Sequence, residues 1–265
     1  MNIGIVGLGH VGGAVRFGFE TKRGHNVSVY DKKLSDTSLK GLLANSELVF
    51  ICVDTPQKSD GSCDTSNVEA LCTEINMLAE SEGKVRDVVI KSTVEPGTSE
   101  RLAKQLNWIR LAVNPEFLLE RSAIHDFCHQ DICIVGTEYQ DLYNKIVSAH
   151  GNLAAQFIKT TPVNAELVKY FCNVFNATRI IFANLFYDVA KRVGADYDEC
   201  KTIATKRHNM IDAYLDCNEH LRGFGGACLP KDANAILAFC TREGVSYKFL
   251  RGLLEDNERL NSGQQ

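Results

Sequence analysis

Residues 223–232 read Gly-Phe-Gly-Gly-Ala-Cys-Leu-Pro-Lys-Asp. Three glycines clear space around one thiol, Cys228, and Pro230 opens a helix-compatible run that stops at Gly244. A thiol at a helix N-terminus feels the positive end of the backbone dipole, and Lys231 adds a second positive charge. Both favour the thiolate, the form that attacks carbon. Asp232, one turn on, is placed to handle a proton or a water. The same residues also suit a structural cysteine beside a capped helix, the commoner use of an unpaired thiol. Lys169 and Asn173 are four residues apart in a helical run, so they share a face. Their neighbours Leu167, Val168, Tyr170 and Phe171 set the lysine against packed surface, although a helix lysine is ordinarily a solvated charge. With Cys228, the pair would supply an ammonium and an amide able to hold an oxyanion beside a nucleophile. Arg179 and Asn184 on the same helix read as packing or interface residues.

A second constellation opens the chain. The β-rich run Asn2–Gly7 leads into Gly7-Leu8-Gly9-His10-Val11-Gly12, and a helical pattern continues to about Lys22. Asn26–Tyr30 is the next strand, with Asp31 at its end, 19 residues after Gly12. A lone G-x-G-x-x-G is weak evidence, but strand, glycine turn, helix, strand and acid in this order predict dinucleotide binding. Gly7 permits the tight turn, Gly9 lets backbone approach a pyrophosphate, and Gly12 lets helix and strand close together. The helix N-terminus holds the anion and Asp31 takes the ribose hydroxyls. His10 and Val11, inside the turn, belong to the same cofactor set. Asp31 would repel a 2′-phosphate, which favours NAD over NADP; Lys32 and Lys33 temper that preference.

The elements that must position these groups are strands near Glu47–Val53, Asp87–Ser92, Ile109–Val113, 132–136 and 154–159, with helical patterns between most of them. This alternation predicts an α/β fold with a Rossmann-like, doubly wound parallel sheet, followed by a smaller all-α domain. Ligands bind such sheets at the carboxyl ends of the strands. Polar turns fall there at Asp54-Thr55-Pro56, Ser92-Thr93-Val94-Glu95-Pro96-Gly97 and Asn114-Pro115-Glu116-Phe117. Each alone is ordinary turn chemistry; together they add Thr55 and Thr93 to the cofactor edge. The polar segment Gln57–Asn67 reads as a mobile surface loop. From Thr161-Pro162 a helical pattern runs to Val193, residues 196–222 are irregularly helical, and Tyr247–Leu260 forms an amphipathic helix able to pair with a second copy. The expected division is residues 1–160 for the NAD-binding domain and 161–265 for the helical domain.

Composition excludes several classes. The 265 residues are 45% hydrophobic and 23% charged, with a net charge of −4, ordinary values for a globular protein. Basic residues are scattered, so no nucleic-acid partner is expected; the cluster Lys206-Arg207-His208 reads as a solvated turn. No apolar run is long enough for a membrane span, and the N-terminus lacks a signal-peptide pattern. Ten cysteines occur without a C-x-x-C pair, which predicts reduced core thiols in the cytoplasm and no metal site.

The order of these pieces resembles the UDP-glucose/GDP-mannose dehydrogenase family. The matching stretches are GLGHVG at 7–12, KSTVEPGT at 91–98, NPEFLLE at 114–120, AELVKYFCN at 165–173 and GFGGACLPKD at 223–232. The resemblance implies two successive NAD-dependent oxidations of a nucleotide sugar's C6 alcohol to the carboxylate. It makes Cys228 the nucleophile that forms a thiohemiacetal and then a thioester, and Lys169 and Asn173 the groups that steady the oxyanion. Asp232 would assist the lysine and water, while Thr93, Glu116 and Glu120 would position water and carry protons. It also implies a homodimer. Three features depart from the family: His10 stands where tyrosine is usual, Gln130-Asp131-Ile132 lacks an arginine, and the chain stops where a third, nucleotide-binding domain is expected. Two other readings remain open at this point: a one-step β-hydroxyacid-type dehydrogenase, and a non-catalytic NAD-binding protein.

Overall fold

The computed structural model describes residues 1–33 and 37–262. In chain order the elements are β1 (Asn2–Val6), α1 (His10–Phe17), β2 (Asn26–Tyr30), α2 (Leu39–Ala44), β3 (Leu48–Ile51), α3 (Ser66–Glu82), β4 (Arg86–Ile90), α4 (Thr98–Gln105) and β5 (Ile109–Val113). They continue with α5 (Ala123–Cys128), β6 (Cys133–Gly136), α6 (Gln140–His150), β7 (Phe157–Thr160), α7 (Pro162–Val193), α8 (Tyr197–Ala204), α9 (Leu229–Arg242) and α10 (Lys248–Asn261). Two compact units form: Met1–Pro56 with Asp64–Lys169, and Gln57–Cys63 with Tyr170–Gln265.

The first unit is built on a seven-stranded sheet in the order β2-β1-β3-β4-β5-β6-β7, counted among the described residues. Side chains alternate between its faces, as the two-residue period of a strand requires. Ile3, Ile5, Leu48, Phe50 and Val89 join one buried cluster. Val6, Val49, Ile51, Val88 and Ile90 join another. Helices α1, α5 and α6 cover the first face through Val15, Phe127 and Ile146, while α2, α3 and α4 cover the second through Leu42, Ile75 and Leu102. A sheet covered on both faces is the doubly wound fold expected from the alternation of elements.

Two details differ from expectation. The sheet is not wholly parallel: β5 and β6 meet antiparallel, through Val113 and Gly136. The helical run after the glycine turn is α1 followed by a π-turn over Gly18–Lys22.

In the second unit, α7 supplies Ala177, which is buried with Phe224, Ala233, Leu253 and Leu254 from the glycine loop, α9 and α10. The segment Gln57–Cys63 belongs here rather than to a surface loop of the sheet unit. It is a tight turn in which Asp60 accepts from the Ser62 N–H at 2.9 Å and its hydroxyl at 2.6 Å. Cys63 at its end is buried with Tyr170 and Ala235. The irregular stretch after α8 forms turns, and Lys206, Arg207 and His208 are exposed there, as their composition suggested.

Candidate active site

The glycine turn owes its shape to steric limits. Gly7 sits at φ +91°, where a side chain is strained, and a Cβ on Gly12 would lie 2.0 Å from the Gly7 carbonyl oxygen. Gly9 differs: nothing lies within 4 Å of a Cβ built there, so the backbone is open to a ligand. β1 pairs with β2 on one side and β3 on the other, which places the turn where the strand order reverses. A cavity of about 630 Å³ opens there, lined by Gly7, Gly9, Asp31, Lys32, Val53 and Asp54 among others.

Asp31 reaches back to this turn. Its carboxylate accepts the Leu8 N–H at 2.8 Å and the Lys33 N–H at 2.9 Å. These bonds, the Lys33 one foremost, hold the carboxyl below its ordinary range, so it is ionised at neutral pH. An ionised acid beside an open helix N-terminus would suit a dinucleotide, with Asp31 to accept from ribose hydroxyls and the glycine turn to take the diphosphate. His10 begins α1 and is exposed; its Nε2 lies 3.1 Å from Glu120 Oε1. Val11 is half-buried and Thr55 is buried, directly after Asp54.

At the carboxyl ends of β4 and β5 the polar groups are packed and paired. Lys169 Nζ donates to the Glu116 backbone oxygen at 2.6 Å and to Oε1 at 2.9 Å, and lies 5.4 Å from the centre of the Phe117 ring. Glu116 Oε2 accepts the Leu118 N–H at 2.7 Å. Burial pushes the Glu116 carboxyl up, but Lys169 and the Leu118 N–H outweigh it and hold the group below the usual carboxylate range. Thr93 is half-buried in the turn after β4.

Three residues here were missed as functional groups by sequence reasoning. Lys91 is 1% exposed, and its Nζ donates to Asn114 Oδ1 at 2.9 Å. Asn114 in turn donates to the Ile134 carbonyl at 2.7 Å, tying the Asn114–Glu116 turn to β6. Burial lowers the proton affinity of the Lys91 ammonium, while Cys133, Cys52 and Glu116 oppose that shift. Glu166 is buried in α7 and accepts from Gly97 N at 2.6 Å and Ser99 N at 2.8 Å, capping α4. Lys91, Asn114 and Glu166 all lie within the quoted motifs. Their residue types alone signal a solvated cation, a turn amide and a helix acid.

In the second unit Cys228 is exposed at the N-cap of α9, with Pro230 in the first turn. Its carbonyl accepts the Asp232 N–H at 2.9 Å, the first bond of the helix. Asp232 is 1% exposed. Its Oδ2 accepts from Asn173 Nδ2 at 2.5 Å and its Oδ1 from Lys231 Nζ at 2.7 Å. The ammonium expected to tune the thiol is therefore held by a neighbouring carboxylate. Asn173 and Asp232 meet, as a shared site requires. All ten cysteines are thiols; Cys52 and Cys72 are buried, which pushes each up to about 12.

Comparison with known proteins gives the family and its cofactor. Residues 29–153 match the NAD binding domain of the UDP-glucose/GDP-mannose dehydrogenase family, and residues 163–259 match its central domain. The chain is 30% identical to GDP-mannose 6-dehydrogenase of Pseudomonas aeruginosa, a match covering 97% of this chain and 68% of that protein. It is 32% identical to a UDP-glucose 6-dehydrogenase of Bacillus subtilis, over 87% of this chain and 52% of the relative. Its fold is similar to that of a UDP-glucose dehydrogenase from Pyrobaculum islandicum, with a TM-score of 0.89 and 29% identity over 97% of this chain and 68% of the other. Two family domains matched in sequence order place this chain in the UDP-glucose/GDP-mannose dehydrogenase family, as an NAD-dependent oxidoreductase.

Proposed function

We propose that this chain oxidises the C6 alcohol of a nucleotide sugar, UDP-glucose or a related compound, to the carboxylate in two steps. The observation that carries the reading is Cys228: an exposed thiol at the N-terminus of a 14-residue helix, following a glycine-rich loop. Bound NAD supplies the hydride acceptor for each oxidation. Between them, the Cys228 sulfur adds to the C6 aldehyde, forming a C–S bond and placing negative charge on oxygen. Lys169 and Asn173 donate to that oxygen. The second oxidation leaves a thioester, and water cleaves the C–S bond to return the thiol and release the carboxylate. Overall one alcohol, two oxidised cofactors and one water give one carboxylate, two reduced cofactors and three protons.

In this reading Glu116 and Glu120 carry protons and Thr93 positions the water. Asp232 assists by holding the Asn173 amide. Gly7, Gly9, His10, Val11, Gly12, Asp31, Thr55 and Thr93 form the cofactor cradle. A one-step β-hydroxyacid oxidation needs no thiol, and an exposed cysteine in this setting favours the two-step route. The chain spans about two thirds of its Pseudomonas relative, so its grip on the nucleotide is part of the proposal.

We also infer a homodimer and a reducing cytoplasmic setting. Phe171, Phe175, Phe182, Phe186, Val189 and Val193 are exposed along α7 at helical spacing, a stripe suited to a second copy. Ten thiols with most of them buried suit a reducing compartment. No helix among the described residues is long and apolar enough to cross a membrane.

The test is a screen of UDP- and GDP-sugars with NAD, following NADH and acid formation. The parent is expected to form two NADH per sugar, and Cys228→Ala to form no net acid while still binding NAD. If the variant matches the parent rate, the thiol has no covalent role.

A further inference from the structure

The loop that presents Cys228 is held at its start by amides. The Phe224 N–H donates to Asn257 Oδ1 at 2.6 Å, and Asn257 Nδ2 donates to the Phe224 carbonyl at 3.0 Å. One carboxamide thus meets both polar backbone atoms of one residue, the pairing a neighbouring strand would offer. Asn261, one turn on in α10, donates to the same carbonyl at 3.2 Å, and Asn184 of α7 accepts the Gly223 N–H at 3.2 Å. Asn257 and Asn184 are buried. The approach is close enough to exclude a side chain at residue 223: Gly223 has φ +61°, and a Cβ there would meet the Oδ1 atoms of Asn257 and Asn261 at 2.8 Å.

The Phe224 ring is buried in the same cluster as Leu253 and Leu254 of α10. Residues 225–228 are then exposed, and the helix bond from Asp232 N to the Cys228 carbonyl fixes the far end. Four exposed residues, ending in the thiol, therefore lie between two anchored points.

We propose that Asn257 is a positioning residue for the Cys228 sulfur, acting through the Phe224 backbone with Asn261 and Asn184 in support. The proposal rests on the reading of Cys228 as the nucleophile. Asn257 touches no reacting atom. It sets where the loop leaves the helical core, and so where the sulfur stands relative to the first turn of α9. Removing the amide leaves the Phe224 N–H buried without its acceptor and its C=O with the Asn261 amide alone, and so frees the loop to shift. Misplacing a reacting group by about 1 Å can cost about a hundredfold in rate.

The experiment uses the full chain and two readouts. The first is the rate of iodoacetamide alkylation at Cys228 as a function of pH, followed by peptide mass spectrometry so that other thiols do not interfere. The second is NADH formation with the most active nucleotide sugar. For Asn257→Leu the pH of half-maximal alkylation is expected to rise, because the sulfur leaves the helix N-terminus that favours its thiolate. kcat is expected to fall about thirty- to a hundredfold, with KM within about threefold and NAD affinity unchanged. Asn257→Asp keeps the acceptor for the Phe224 N–H but opposes its carbonyl, so an intermediate shift is expected; Asn261→Ala is expected to give the smallest. A folded Asn257→Leu protein with the parent's alkylation profile and kcat overturns the proposal. If that variant does not fold, unchanged profiles in both Asn257→Asp and Asn261→Ala overturn it instead. Should the parent oxidise no nucleotide sugar, the functional reading falls, while the alkylation profiles still decide the role of Asn257.

Discussion

Two glycine-rich turns lead into helices in this protein, and Gly12 in one and Gly225 and Gly226 in the other are glycines for opposite reasons. In the first turn Gly7 and Gly12 answer crowding: a Cβ on Gly12 would overlap the Gly7 carbonyl. At residues 225 and 226 nothing lies within 4 Å of the Cβ positions. The first turn is shaped by its own backbone and by Asp31, so it is formed before any ligand arrives. The second is held at its ends by an amide clamp and by the first turn of α9, with open space beside Gly225 and Gly226. The contrast teaches that similar composition can encode a tightly packed turn in one place and open space beside an exposed thiol in another.

The sharpest way to break this contrast is to add carbon to each turn. Gly12→Val is expected to lower NAD affinity by more than about a hundredfold and to lower the melting temperature, measured by calorimetric titration and thermal unfolding. Gly225→Ala is expected to change unfolding free energy by less than about 0.5 kcal/mol, the smallest effect in this series. It should still slow NADH formation if the open side receives substrate. Equal destabilisation by both substitutions would erase the distinction.

Between those limits lie the charges of the first unit. Lys169→Met strands the buried Glu116 carboxylate and is expected to cost about 3–5 kcal/mol in urea unfolding. Adding Glu116→Gln should restore part of it. His150 gives a pH test of the same dense packing. It is buried, ringed by Phe19, Phe50, Phe127 and Phe157, and its Nδ1 bonds the Ile146 carbonyl. Burial depresses its pKa from 6.5 to about 3. Below pH 6.5 the unfolded chain therefore binds a proton that the folded chain refuses. Stability is expected to fall as pH drops toward 3, by up to about 1.4 kcal/mol per pH unit, and His150→Leu should flatten that slope. Asp31→Asn, smaller again, is expected to weaken NAD binding about tenfold, since it would remove the ionised acceptor proposed for the ribose hydroxyls.

Much of the first unit was legible in the sequence because its constraints are local. A strand, three glycines at fixed spacing, a helix and an acid carry the geometry of the cradle in thirty residues. The antiparallel join of β5 and β6 was not legible: strands covered on both faces are uniformly apolar, and direction leaves no mark on residue type. Lys91 was missed because a lysine reads as solvated until its surroundings are known. Gln57–Cys63 misled because its polar composition suggests a free loop, whereas the contact that assigns it, Cys63 with Tyr170, is more than a hundred residues away in sequence. Lys169 in the first unit, and Cys228 and Asn173 in the second, stood out as reactive types at suggestive spacing. Asn184, Asn257 and Asn261 did not, since a helix asparagine carries no signal of what its amide holds.

The buried sulfurs have one further consequence. Cys72 and Cys133 belong to the sheet unit, while Cys63 and Cys217 belong to the helical one, and all four are buried. A reagent in solution can reach them only when the surrounding chain opens. Their order of labelling under mild denaturant thus provides a two-channel clock. Simultaneous labelling would mark one cooperative transition, and staggered labelling would time the opening of each half separately.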